Sequence, residues 1–202
     1  VPIPAPDDTL YVTLALLKES LKITDAGRDN LLNQARASAS RQIDKHTGGR
    51  RFYADGSASA RTWRTRGRVV SDPDGELLLV DDISTTTGLV VELGDGTTWT
   101  TVTDYFAEPD NALVRGEPIT GLRRDRGCWS TSRRVRVTAP WGWPAIPDQV
   151  VQACLIQSGR LFRRKDSPEG VAGSAEWGAI RLSRIDPDVQ ALLADFVLPG
   201  IG

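Results

Sequence analysis

The spacing of apolar residues changes twice along this chain. Over 11–47 and again over 147–196 apolar positions recur every third or fourth residue between capping signals, the rhythm of an amphipathic helix. Over 61–138 they come instead in short alternating runs punctuated by Gly, Asp and Pro, the rhythm of β-strands. In the first segment Thr13 can accept a free first-turn N–H, and Leu14, Leu17 and Leu21 share one face of a short helix over 14–21. A longer helix is predicted from near Asp25 to Gly48-Gly49, where Gly48 can take the left-handed conformation that ends a helix. Its inner stripe is Leu32, Ala35, Ala39 and Ile43, and its many Ala and Ser residues permit close approach of a partner helix.

In the last segment Pro147 is expected at the first helical position, ahead of an apolar face of Val150, Val151, Cys154, Leu155, Leu161 and Phe162. Asp186-Pro187 opens a final helix carrying Val189, Leu192, Leu193 and Phe196. The middle predicts strands at 77–80, 88–93, 98–103, 112–115 and 133–138. Turns are expected at Asp72-Pro73-Asp74-Gly75, Gly94-Asp95-Gly96 and Glu108-Pro109-Asp110-Asn111. Five or six short strands at this spacing imply a small barrel or sandwich. If the helical ends pack on each other, that middle is looped out of a helical core. The predicted organisation is therefore α+β. An extended Pro-rich arm spans 1–10, a helical core of about four helices takes 11–55 plus 139–202, and an inserted small antiparallel β barrel or sandwich takes 56–138.

Composition narrows the function classes. At 40% apolar and 25% charged, the 202 residues read as globular. No apolar run approaches the roughly 18 residues that span a bilayer, and the start shows no basic-then-apolar leader, so no membrane partner and synthesis in the cytosol are expected. The net charge is −1, and basic and acidic residues nearly balance in each part, unlike a domain that holds polyanions by bulk charge. Of 25 basic residues four are Lys and the rest Arg. Cys128 and Cys154 are too few and too far apart for a zinc or dithiol motif, and both are expected reduced and buried.

Catalytic constellations are sparse. His46 is the single histidine and falls on the inner stripe of the second helix, which favours a structural role. Neither a GxSxG turn nor a Walker loop occurs, and no cofactor or metal site is expected. Most paired acids belong to turns or caps; Asp81-Asp82, at the end of a strand run, is the one pair worth testing. Arg64, Arg66 and Arg68 alternate as if on one strand face, a pattern that fits either phosphate in a DNA channel or the acids of a neighbouring subunit. Six Trp are many for this length. A β-core or subunit interface absorbs such residues more often than a sugar site does, and Trp177, in a Gly-rich link, points to a partner.

The run from Tyr11 to Ile23, then Asp29-Asn30-Leu31-Leu32-Asn33-Gln34-Ala35 and the segment Ala37 to Asp44, then Thr47-Gly48-Gly49-Arg50 with Phe52, resembles the opening of the tailed-phage head-to-tail connector (head completion, or adaptor) family. Pro147-Asp148-Gln149-Val150-Val151-Gln152-Ala153, the segment Arg160 to Gly170, and Asp186 to Leu193 are similar to its closing helices. The resemblance covers the two helical ends, and the β-rich middle is similar to members bearing an inserted β-domain.

It implies a structural virion protein and no catalysis. The expected role is a homo-oligomeric ring, usually a dodecamer, under the portal protein at the capsid-tail junction. That ring extends the DNA channel and offers a platform to a downstream tail or stopper protein. Candidate inter-subunit or portal contacts are then Arg163, Arg164, Trp177, Asp186 and Phe196. Arg64, Arg66 and Arg68 are candidate DNA-facing or inter-subunit residues. The reading from a different class is a carbohydrate- or nucleic-acid-binding module using the Trp and Arg residues of the β-domain.

Overall fold

In the computed structural model, residues 9–164 and 186–198 are described in full and 171–172 and 180–181 by backbone pairing alone. Trp177 and the Pro-rich residues 1–8 lie outside the described residues. The chain divides into two compact units, Val1–Arg50 with Ile146–Gly202, and Arg51–Ala145. The fold is α+β: among the described residues it comprises four α-helices and two four-stranded antiparallel sheets, neither closed into a barrel.

In the helical unit, α1 (Leu14–Leu21) is capped by Thr13, whose hydroxyl accepts from Leu16 N–H. The longer α2 (Asp29–His46) starts four residues later than its periodicity predicts, because the Asp25 carboxylate accepts from Gly27 N–H and holds a turn there. It ends as expected. Gly48 takes φ +81°, and Gly49 N–H reaches back to the Asp44 carbonyl at 2.7 Å. Leu32, Ala35, Ala39 and Ile43 are all buried, the stripe that the spacing predicts.

The third helix, α3 (Asp148–Arg163), has Pro147 as its N-cap, one position before the predicted N1, and packs against α2. Small residues let the two helices carry polar contacts in their seam. Ser40 Oγ lies 3.6 Å from Cys154 Sγ, and Gln157 donates to Gln42 at 2.6 Å. Then α4 (Pro187–Leu193) buries Val189 and Leu193 and packs on α3. Ahead of α1, Leu10, Tyr11 and Val12 are buried, and Arg36 and Arg41 of α2 donate to the carbonyls of Val12 and Thr9.

In the β unit, one sheet has the order β1-β8-β4-β5, formed by β1 (Ser59–Arg64), β8 (Arg134–Ala139), β4 (Val90–Gly94) and β5 (Trp99–Val102). The other has the order β2-β3-β7-β6, formed by β2 (Val69–Asp72), β3 (Gly75–Ile83), β7 (Ile119–Arg124) and β6 (Phe106–Glu108). Inward residues of both sheets, among them Val91, Leu93, Val135 and Val137 facing Leu78, Val80 and Leu122, form a single buried cluster, so the sheets make a sandwich. First and last strands are partners: Ser59 lies opposite Ala139, and Asp55 N–H donates to the Trp141 carbonyl at 2.7 Å.

One local prediction fails here, and the strand β7 is not among those predicted. Leu113–Arg115 forms a 3-10 turn, not a strand, because the chain is still turning after Asn111, which takes a left-handed φ of +60°. β7 carries no alternating signal, because Gly121 interrupts it; Leu77 of β3 fills that space, its Cδ1 2.7 Å from where a side chain's first carbon would stand. A short pair, β9 (Val171–Ala172) with β10 (Ile180–Arg181), completes the described strands.

Candidate interaction surfaces

Most arginines of the β unit are held by carboxylates of the same unit. Arg61 and Arg68 grip the two oxygens of Asp81, at 2.7 and 3.1 Å. Each also lies over an indole: the Arg61 guanidinium is 4.3 Å from the Trp141 ring centre, and that of Arg68 is 4.7 Å from Trp63. Trp63 and Trp141 meet edge to face with centres 5.7 Å apart. These residues latch the two sheets along their β1 and β2 edges, an arrangement strengthened by the attraction of cations for aromatic faces. Arg136 forks onto both Glu92 oxygens at 2.7 Å and stacks on Trp99. Its hydrogen bonds hold the Glu92 carboxyl below the usual glutamate range. Arg124 reaches both Asp104 oxygens from one nitrogen, Nη2, at 2.9 and 2.7 Å, and these hydrogen bonds hold the Asp104 carboxyl below its usual range.

The predicted catalytic pair does not converge. Asp81 is committed to the latch, whereas Asp82 accepts from Trp143 Nε1 at 3.0 Å. Among the described residues no three His, Cys, Asp or Glu side chains gather as a metal site would require. His46 is half-buried at the end of α2. Cys154 is buried, and burial pushes its thiol up. Cys128 is exposed, against expectation, because it lies in the β7–β8 loop with its carbonyl, not its side chain, anchored by Arg124 and Thr131. Both thiols are free.

Arg64, Arg66 and Arg68 do not share a strand face. β1 ends at Arg64, residues 65–68 turn with Arg68 N–H on the Thr65 carbonyl, and Arg68 joins the latch while Arg64 and Arg66 stay exposed. Of the helical candidates, Arg163 is exposed at the end of α3, and Arg164 is half-buried. Asp186 caps α4 by accepting from Asp188 N–H and also holds Arg160 at 2.9 Å. Phe196 is half-buried, and its carbonyl accepts from Arg50.

A surface that sequence reading missed is the outer face of the β2-β3-β7-β6 sheet. The register places Val70, Leu77, Arg123 and Phe106 in one row across all four strands, with Leu79 in the next row. Val70 (48%), Leu79 (41%) and Phe106 (62%) are exposed. Arg123 crosses this stripe between two acids, donating to both Asp72 oxygens at 2.9 Å and to Glu108. An apolar centre beside satisfied ion pairs is how protein interfaces are built. The signal was present in sequence only once β2, β6 and β7 were paired.

No protein-family model matches this sequence, and no curated protein is similar to it in sequence. Solved structures share its architecture. A chain from the neck of an empty gene transfer agent (GTA) particle, computed with C6 symmetry, matches with a TM-score of 0.56 and 16% identity, over 100% of this chain and 97% of that one. A chain from the virion of a native GTA particle matches with a TM-score of 0.53 and 16% identity, again over 100% and 97%. The likeness is one of fold.

Proposed function

We propose that this chain is a structural neck protein of a phage-like particle. In this reading copies of it form a ring beneath the portal, join the capsid to the tail and prolong the DNA channel. The observation that carries the reading is the match of fold along the whole chain, helical ends and β insertion together, to a chain from a C6-symmetric neck and one from a virion. The apolar stripe of Val70, Leu77, Leu79 and Phe106 supports it independently. A closed ring needs two unlike patches on each subunit, and this sheet face supplies one of them, contacting a second copy.

Arg163, Arg164, Trp177 and Phe196 are the proposed helical-side contacts to portal or neighbour. Asp186 enters that set through α4, whose start it fixes. The role is structural, not enzymatic: Asp81 and Asp82, the one acid pair suited to chemistry, are spent on Arg61, Arg68 and Trp143.

Native mass spectrometry of the chain with its cognate portal protein tests this. A ring or a portal-bound assembly is expected, with Phe106→Asp weakening it at least tenfold. Absence of both ring and complex at micromolar concentration refutes the neck role.

A further inference from the structure

The outer face of the β1-β8-β4-β5 sheet ends in arginines that the fold leaves unspent. Arg64 of β1 stands directly opposite Arg134 of β8, Arg134 stands opposite Gly94 of β4, and Gly94 stands opposite Trp99 of β5, so the four form one cross-strand row. Like charges facing each other across an antiparallel pair repel, and a sheet tolerates them where something else supplies the countercharge. Arg66 and Arg133 join the corner through Thr65, whose N–H donates to the Arg133 carbonyl at 3.3 Å and whose hydroxyl donates to the Ser132 carbonyl at 2.7 Å.

Among the described residues none of these four arginines makes an ion pair. The contrast lies within one unit: Arg61, Arg68, Arg115, Arg123, Arg124 and Arg136 each hold a carboxylate. Asp95, the acid that Arg133 acts on, is turned to the N–H groups of Thr98 and Thr97, which hold its carboxyl below the usual range. The backbone therefore fixes four guanidinium-bearing positions together, beside a half-exposed indole and the exposed hydroxyl side chains of Thr62 and Thr101 in the next row. Arg64, Arg66 and Arg133 are exposed, and Arg134 is half-exposed along the Gly96 turn, its Cδ 3.3 Å from where a side chain's first carbon would stand on that glycine.

We infer that this corner binds the phosphate backbone of DNA, with Arg64, Arg66, Arg133 and Arg134 as the phosphate contacts. Guanidinium groups suit phosphate through paired N–H donors, and threonine hydroxyls add neutral donors to the same backbone. The unit's near-neutral total conceals the site, because over 51–145 the 13 acids outnumber the other eight arginines and offset these four. The assignment rests on the neck reading only for the source of the DNA.

The test is fluorescence anisotropy of a labelled 20-base-pair duplex against the full chain, over 50 to 200 mM NaCl. Four phosphate contacts predict that log K falls with log salt at a slope of about −3.6, a loss of about two decades across that range. Arg64→Ala with Arg134→Ala should bring the slope to about −1.8. Arg64→Lys with Arg134→Lys should keep it near the parent value, and Arg115→Ala, at an arginine already paired with Glu117, should leave it unchanged.

Poly-L-glutamate serves as the second probe and should compete at least tenfold more weakly than duplex. The inference is overturned if the parent chain binds duplex with a slope shallower than about −1 or not at all. It also falls if the double alanine variant matches the parent, or if polyglutamate competes as well as DNA, which would assign the corner to an acidic protein surface. A chain that forms rings with the portal and fails here defeats this inference alone; one that binds duplex and forms neither ring nor complex defeats only the neck role.

Discussion

Trp129 carries the clearest wager on stability. It lies in the loop between β7 and β8, yet it is fully buried, and its Nε1–H is shared between the carbonyls of Leu122 at 3.0 Å and Glu76 at 3.1 Å. Ser130, next to it, donates both N–H and O–H to the Glu76 carboxylate. Trp129→Phe keeps an aromatic in the core but removes that donor together with part of the indole's volume, so the loss should be about 1–3 kcal/mol for the unserved acceptors, with a smaller cavity cost added. Trp129→Ala removes the whole indole and should cost about 3–5 kcal/mol. With a urea dependence of about 1.5 kcal/mol per molar for a unit of this size, the midpoint should drop by about 0.7–2 M for Phe and about 2–3 M for Ala.

Near-ultraviolet circular dichroism during urea titration reads the β unit through its tryptophans. If Trp129→Ala is too unstable to purify, the Phe variant still decides the matter. A Phe midpoint within 0.2 M of the parent would show that the indole N–H does not hold the loop. The same loop delivers Arg133 and Arg134 to the sheet corner, so a loosened loop should also weaken duplex binding.

Two further outcomes follow from the ionisable groups. Cys128 should react with a maleimide within minutes in the native protein while Cys154 reacts only on unfolding; mass spectrometry of the labelled chain checks this, and equal rates would contradict the burial of Cys154. Because Arg136 lowers the folded-state pKa of Glu92, the pair stabilises the protein above the ordinary glutamate value of about 4.3 and ceases to do so as the pH falls through the lower folded value. Glu92→Gln should therefore be less stable than the parent at pH 7, and the gap should close towards pH 3 in urea titrations. A gap that widens in acid would reverse the sign argued here.

Much of the helical unit was legible from sequence because its signals are local. Thr13, Gly48 and Asp186 act on N–H or C=O groups within a turn or two, and the stripe from Leu32 to Ile43 depends only on helical spacing. The β unit was legible as strands and turns and illegible as a surface. Whether an arginine is spent or available is settled by partners far along the chain, such as Asp72 for Arg123, 51 residues away, or Asp81 for Arg61, 20 away. Alternation placed Arg64, Arg66 and Arg68 on one face, but the strand stops at Arg64, and no periodicity reports where a strand stops. The apolar stripe of Val70 and Phe106 was hidden for the same reason: its members come from separate strands, and two of those strands were too short to announce themselves.

The partnership of β1 with β8 reaches beyond this chain's own stability. A flexible loop of the same length would burden closure of the surrounding helical segments, by about 0.6 kcal/mol for each doubling in length. Here Ser59 is bonded into register with Ala139 and Asp55 with Trp141, so the long insertion presents its host with ends already joined, the entropic equivalent of a tight turn. Such a cassette can be enlarged, trimmed or traded between lineages without renegotiating the helices that carry it, and its exposed faces can change partners at the same pace.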